Sequence, residues 1–204
     1  MPSVDTKQRI LDVSLKLFSR NGFTAISIRD ICAQVNIKES SVYYHFKNKR
    51  AILEELKLRF EATANRMMGQ LNEAMKNAED LEGNGFQMVS DIFFEQYLMD
   101  DFCNRFMRLM YIEQCSDEEM QRLYDQWMFA EPLRFQSGVF TELMSQKLMP
   151  CMDSEYLALK YYSPIFLYFQ RYLLSGPLTG EKKSLFRRKI DQHIHHFFTE
   201  SGAN

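Results

Sequence analysis

Within the twelve positions from 38 to 49 the chain gathers side chains suited to holding a polyanion: Lys38, Ser40, Ser41, Tyr43, Tyr44, His45 and Lys49. Lys38 can reach a guanine edge or a phosphate. The hydroxyls and imidazole of Tyr43, Tyr44 and His45 can donate to phosphate oxygens, and an aromatic face suits a thymine methyl. Ser40 and Ser41 are small enough to let a backbone approach base edges. Lys49 falls in the first turn of a predicted helix, where unpaired amides and the helix dipole already favour an anion. Other constellations are thinner. His193 and His196 lie three apart on a helical face, but no Glu-x-x-His and no third ligand accompany them, so a solvated or dimer-rim face is expected and no metal. Cys32, Cys103, Cys115 and Cys151 form no C-x-x-C pair and are read as four buried, reduced thiols. No glycine-rich phosphate loop or nucleophile elbow occurs, and Asp100-Asp101 lacks the further acids a magnesium site needs, so neither an enzyme nor a cofactor is expected.

Helix periodicity dominates the elements that must position these groups, and no segment alternates with the two-residue period of a strand. The predicted class is all-α. A first helix starts near Asp5, with Asp5 and Gln8 as a capping box and Ile10, Ser14, Leu17 and Phe18 on its inner face. Gly22 stops it in a left-handed conformation, and Phe23 is placed to fold back on its last turn. Ser27 and Asp30 cap a short second helix that buries Ile28, Ile31, Cys32 and Val35. Asn36, which tolerates positive φ, turns the chain into a third helix at Lys38 to His45. Its polar residues face out, while Val42 and Phe46 face in. A short polar helix of this kind fits a DNA major groove. Asn48 caps a long amphipathic rod reaching Asn77, and a break is expected at Glu82 to Gly85. Further helices are predicted near 86–100, 102–114, 117–147, 154–175 and 181–199, with kinks at Pro132 and Pro164.

Composition agrees with a folded globular chain. The 204 residues are 46% hydrophobic, with 8 Gly, 5 Pro and 4 Cys, which excludes a disordered, collagenous or disulfide-stapled chain. The charge-free run Tyr161 to Gln170 is about half of the ~20 residues a membrane span needs, and the amino terminus lacks the apolar core of a signal peptide. A soluble, cytoplasmic protein without a membrane partner is expected. The formal charge is −2, yet residues 1–60 hold 11 Lys and Arg against 6 Asp and Glu. That basic end suits a polyanion, because phosphate attraction depends on nearby charges more than on the whole-protein sum.

Residues 9 to 53 resemble the TetR/AcrR family of transcriptional repressors. The resemblance is carried by RILDVSLKLFSRNGFTAISIRDICAQVNI, the turn after it, and SVYYHFKNKRAIL, in which an aromatic-x-His-Phe-Lys-x-Lys run leads into the fourth helix. It implies DNA contacts from the start of helix two, Ser27 and Arg29, and from Lys38, Ser40, Ser41, Tyr43, Tyr44, His45, Lys47 and Lys49. Three positions depart from the family's usual pattern: Asn36 and Ser40 stand where Gly is frequent, and Lys38 where Ser often opens helix three. The resemblance also implies a helix-turn-helix head at 1–47 and a helical effector-binding and dimerisation body at 48–204.

The aromatic and methionine wealth of the body is first a helical core. Met67, Leu71, Phe93, Tyr97, Met110, Trp127 and Tyr161 are the residues expected to line an apolar ligand cavity within it. Residues 155–174 are apolar nearly all round, so helices 154–175 and 181–199 are expected to pair with their symmetry mates, burying Phe166 and Phe169. The expected protein is thus a homodimeric, ligand-responsive regulator, more readily a repressor, whose partners are a palindromic double-stranded operator and an apolar or aromatic effector. Two alternatives are a DNA-binding protein of the same fold with no effector, and a helical small-molecule-binding module.

Overall fold

A computed structural model of the chain describes residues 6–77 and 84–201. Ten α-helices follow one another among the described residues: α1 Thr6–Asn21, α2 Ile28–Val35, α3 Glu39–His45, α4 Lys49–Asn77, α5 Asn84–Phe93, α6 Asp101–Glu113, α7 Glu118–Asp125, α8 Glu131–Ser145, α9 Ser154–Tyr168 and α10 Gly180–Glu200. There is no strand among the described residues. The fold is all-α, with a three-helix head carrying the helix-turn-helix and a larger helical body. The Asp5 cap and the first half of the expected break, Glu82 and Gly83, fall outside the described residues; Asn84 and Gly85, expected in that break, already belong to α5. Gln8 donates to Asp12 and accepts from Arg59 on α4.

Local signals set the head. α1 ends because Gly22 takes φ +82°, and Phe23 returns to Phe18 with ring centroids 5.2 Å apart, edge to face. Ser27 and Asp30 form the reciprocal capping box at the start of α2. Asn36 closes that helix at φ 60°, ψ 55°, its amide donating to the Cys32 carbonyl. Lys38 supplies no side-chain cap, so α3 begins one residue later than expected, at Glu39. The Asn48 carboxamide oxygen accepts from the Ala51 amide and starts α4.

One hydrophobic cluster runs from Ile10 in the head to Phe197 in α10. α1 packs on α6, α4 on α5 and α6, α8 on α9, and α9 on α10. Three π turns interrupt the body helices: Phe94–Leu98 continues α5, Gln126–Ala130 joins α7 to α8, and Phe169–Leu174 continues α9. Pro132 lies just behind the second of these, and Pro164 lies one turn ahead of the third. No helix among the described residues is long and apolar enough to cross a membrane.

Two expectations fail here. Cys115 and Cys151 are exposed; only Cys32 and Cys103 are buried. Phe169 is 1% exposed and Phe166 is partly buried inside the subunit, against Phe129, so neither heads an outer face. The large apolar residues that α9 turns outward are Tyr156, Leu159 and Leu167, each more than half exposed, with Met152 just before the helix. A helix apolar all round divides its residues between its own core and a partner, and the sequence pattern could not tell which side each would take.

Candidate nucleic-acid interface

α3 buries one side chain, Val42, and Phe46 just beyond it returns to the core. Anchored at those two points, the helix turns Ser40, Tyr43 and Tyr44 outward, with exposed Lys38 before them and Lys47 after them. Ser41 and His45 are half-buried at its flanks. Tyr44 is 85% exposed and meets the His45 ring edge-on at 5.0 Å. An aromatic ring in that position contributes little to the subunit's own packing, so burial does not account for it. Arg29 stands outward on α2, and its Nε donates to the Glu39 carboxylate at 3.1 Å, which fixes the two helices of the turn to one another.

Two of the expected phosphate ligands are placed otherwise. The Ser27 hydroxyl is taken up by the cap: it accepts from the Asp30 amide and donates to the Asp30 carboxylate at 2.7 Å. Those Ser27 bonds, side chain first and backbone second, hold the Asp30 carboxyl below its usual range. Lys49 departs further. Its ammonium donates to the carbonyls of Phe23 at 2.8 Å and Ile26 at 2.6 Å and lies 4.3 Å from the centre of the Phe23 ring. Burial pushes its pKa down. The carbonyls of the α1–α2 loop occupy the donor that was expected to meet a phosphate. That competition is invisible along the sequence, because the two carbonyls lie 26 and 23 positions away.

The basic excess of the head therefore divides in two. Lys38, Lys47 and Arg29 remain on the surface. Arg9 donates to the Val35 carbonyl, Lys7 pairs with Glu55, and Arg50 and Lys57 meet acidic groups at the start of α7. Arg50 contacts Asp117 and Glu119 in this way, and Lys57 contacts Glu119, so α4 is tied to the body electrostatically. Sequence reasoning missed this junction and also Glu113, the last residue of α6, whose carboxylate accepts the Phe23 amide. Asp117 and Glu119 read simply as the acidic first turn of a helix.

In the body, Met67, Leu71, Tyr97, Met110, Trp127 and Tyr161 are buried and Phe93 partly so. They do not form one ring cluster. Tyr97 and Trp127 meet around Phe60, with Phe93 against Tyr97. Tyr161 belongs instead to a second cluster with Phe140, His193 and Phe197 between α9 and α10. Phe60, Phe106 and Tyr162, each buried, were not among the residues expected to line a cavity.

Residues 10–56 match the model of bacterial regulatory proteins of the tetR family. The chain is 28% identical over 130 residues to the negative transcriptional regulator IcaR of the Staphylococcus aureus biofilm operon, covering 59% of this chain and 70% of that protein. Among solved structures, a regulator from Mesorhizobium loti assigned to the tetR family superimposes with a TM-score of 0.66 at 17% identity, over 98% of both chains. A regulator from Saccharomonospora viridis, solved in complex with choline, superimposes with a TM-score of 0.65 at 18% identity, over 93% of this chain and 95% of that one.

Proposed function

The chain is a transcriptional regulator of the TetR/AcrR family, and from that premise we propose that it is a cytoplasmic repressor that grips a palindromic operator as a homodimer and lets go when a small molecule enters its body. The observation that carries the DNA contact is Tyr44, an aromatic ring 85% exposed on a short helix whose other outward residues, Ser40 and Tyr43, carry hydroxyls and whose ends are flanked by Lys38 and Lys47. Ser40 and Ser41 allow close approach to base edges, Tyr43 and Tyr44 meet the groove, and Lys38, Lys47 and Arg29 meet phosphates. His45 supplies a further donor at the flank. The head ends at about residue 47 and the body begins with α4, which belongs to both.

The second subunit joins through the outward stripe of α9, Tyr156, Leu159 and Leu167, which leaves apolar surface in water unless a symmetry mate covers it. Two-fold symmetry then sets two α3 helices one turn of duplex apart, about 34 Å. Effector binding in the body is transmitted by α4, whose first turn holds the α1–α2 loop through Lys49 and whose middle residue Phe60 lies in the aromatic cluster. A shift of the heads by a few Å takes one half-site out of register. The choline held by the Saccharomonospora viridis regulator supports small-molecule binding on this fold.

Selection of duplexes from a random pool by the full-length protein tests this reading. An enriched palindrome with two half-sites is expected, and Tyr44→Ala should reduce the enrichment. A pool that stays random at low salt refutes DNA recognition.

A further inference from the structure

Phe60 is surrounded by rings from three other helical segments. Phe106 of α6 stacks on it at 4.7 Å, Tyr97 of the first π turn lies at 6.1 Å, and Trp127 of the second meets it edge-on at 6.4 Å. Phe93 extends the cluster from Tyr97, at 6.0 Å, to Tyr162, at 6.3 Å. The Tyr97 hydroxyl and the Trp127 indole N–H are both buried, and neither has a hydrogen-bond partner among the described residues. Neighbouring phenols differ: Tyr162 donates to the Met128 carbonyl at 2.8 Å, and the Tyr124 oxygen accepts from Gln170 at 2.6 Å.

An unmet buried polar group costs about 1–3 kcal/mol, and nearly all such groups in folded proteins are satisfied. Two of them around one phenylalanine point to a partner that the chain does not itself supply. An indole N–H can only donate. Burial pushes the Tyr97 pKa well up, so that hydroxyl keeps its proton and also presents a hydrogen. Both residues stand on π turns, where an inserted residue re-aims the side chains by about 100° relative to a regular helix.

Resting on the reading of the body as an effector domain, we propose that this cluster takes a neutral, flat, largely apolar molecule whose hydrogen-bond acceptor meets the Tyr97 hydroxyl and the Trp127 N–H. A cation is disfavoured because both groups offer the positive ends of their dipoles. An anion is disfavoured because Glu113 is the only charged side chain among the buried described residues, and Arg108, whose Nε has no partner among the described residues, stands two positions from Phe106 on the other side of α6 and reaches the Leu173 carbonyl.

Four probes of graded chemistry separate the cases: 2-acetonaphthone, 2-ethylnaphthalene, 2-naphthoate and choline, each titrated calorimetrically into the full-length protein. Trp127 is the single tryptophan of the chain, so its emission reports whether a probe reaches this cluster. The expected result is saturable binding of 2-acetonaphthone with a change in Trp127 emission, weakened about five- to tenfold by Tyr97→Phe, while 2-ethylnaphthalene is indifferent to that change. The free Tyr97→Phe protein should melt at or above wild type, since an unmet hydroxyl has been removed. Preference for 2-naphthoate or choline, equal ketone affinity in Tyr97→Phe, or no saturable binding of any probe overturns the proposal. Operator binding by the same samples, measured without probe, separates this failure from failure of the regulator reading.

Discussion

Glu113 and Phe23, ninety positions apart, are joined by a 2.8 Å hydrogen bond from the Phe23 amide to the Glu113 carboxylate. The bond links the last residue of α6 to the loop that leads into α2. Glu113 is buried, and Gly22 beside the bond has no room for a side chain: a Cβ there would lie 2.8 Å from the same carboxylate oxygen. Phe23 is therefore held from two sides, its amide by the body and its carbonyl by Lys49 of α4.

Replacing Glu113 with alanine should strand that amide at a cost of about 1–3 kcal/mol, each kcal/mol lowering the melting temperature by roughly 2–4 °C in a chain of this size. Glu113→Gln keeps an acceptor and should recover most of the loss. Calorimetric melting of both variants checks the ranking. Equal melting of the alanine variant and wild type would show that the bond contributes nothing to stability.

On the DNA side, Tyr44→Ala should weaken operator binding about tenfold with no change in melting, because no cavity is left behind. Lys47→Ala should lower the salt slope of binding by about one phosphate. Lys49→Ala should do the reverse, lowering the melting temperature and leaving the salt slope near its wild-type value. Anisotropy titrations at several salt concentrations, beside melting curves, decide the assignment. A salt slope reduced only in the Lys49 variant would return that residue to the interface.

The pair Leu159→Glu and Leu167→Glu, made together, should yield folded monomers, since two carboxylates in an apolar contact would have to be desolvated. Phe169→Glu should instead destroy the fold, its ring being enclosed within the subunit. Sedimentation and far-ultraviolet dichroism distinguish the two results. A double variant that keeps the mass of wild type moves the subunit contact off α9.

Acid should loosen α4 from the start of α7, where Arg50 and Lys57 meet Asp117 and Glu119. The Lys57 ammonium, with Arg50, holds the Glu54 carboxyl below its usual range; burial pushes Asp117 up, but the Met120 amide and the Arg50 guanidinium outweigh it and leave Asp117 lowered too. Carboxyls depressed in the folded state contribute stability that is fully present above their unfolded values, near 4.5 and 3.8, and is lost as pH falls through the folded ones. Melting temperature followed from pH 7 downward should fall in and below that range, more gently in Arg50→Ala than in wild type. Parallel curves for the two proteins would remove the junction from the acid response.

Local chemistry made the head legible. Gly22, Ser27 with Asp30, Asn36 and Asn48 each act on backbone groups within a few residues, so their roles follow from type and spacing alone. Lys49 and Glu113 were not legible for the opposite reason: their partners are brought together only when α1, α4 and α6 pack, and a long side chain near many carbonyls takes the best one available. Phe169 shows a third limit. On a helix with apolar residues on every side, periodicity gives no direction, and only the packed bundle decides which rings are enclosed. Of the expected cavity set, Tyr97 and Trp127 came together because both meet Phe60, whereas Tyr161 was drawn into the α9–α10 cluster by Phe140 and Phe197.

The side chains that keep the head folded, Phe18, Phe23, Ser27, Asp30, Asn36, Asn48 and Lys49, share no member with those that α3 and its ends turn to solvent, Lys38, Ser40, Tyr43, Tyr44 and Lys47. On the proposed reading, recognition is thereby modular with respect to folding. The five outward positions can be exchanged for those of another regulator with the scaffold untouched, so that DNA preference is free to diverge in a duplicated copy while the helical body is inherited intact.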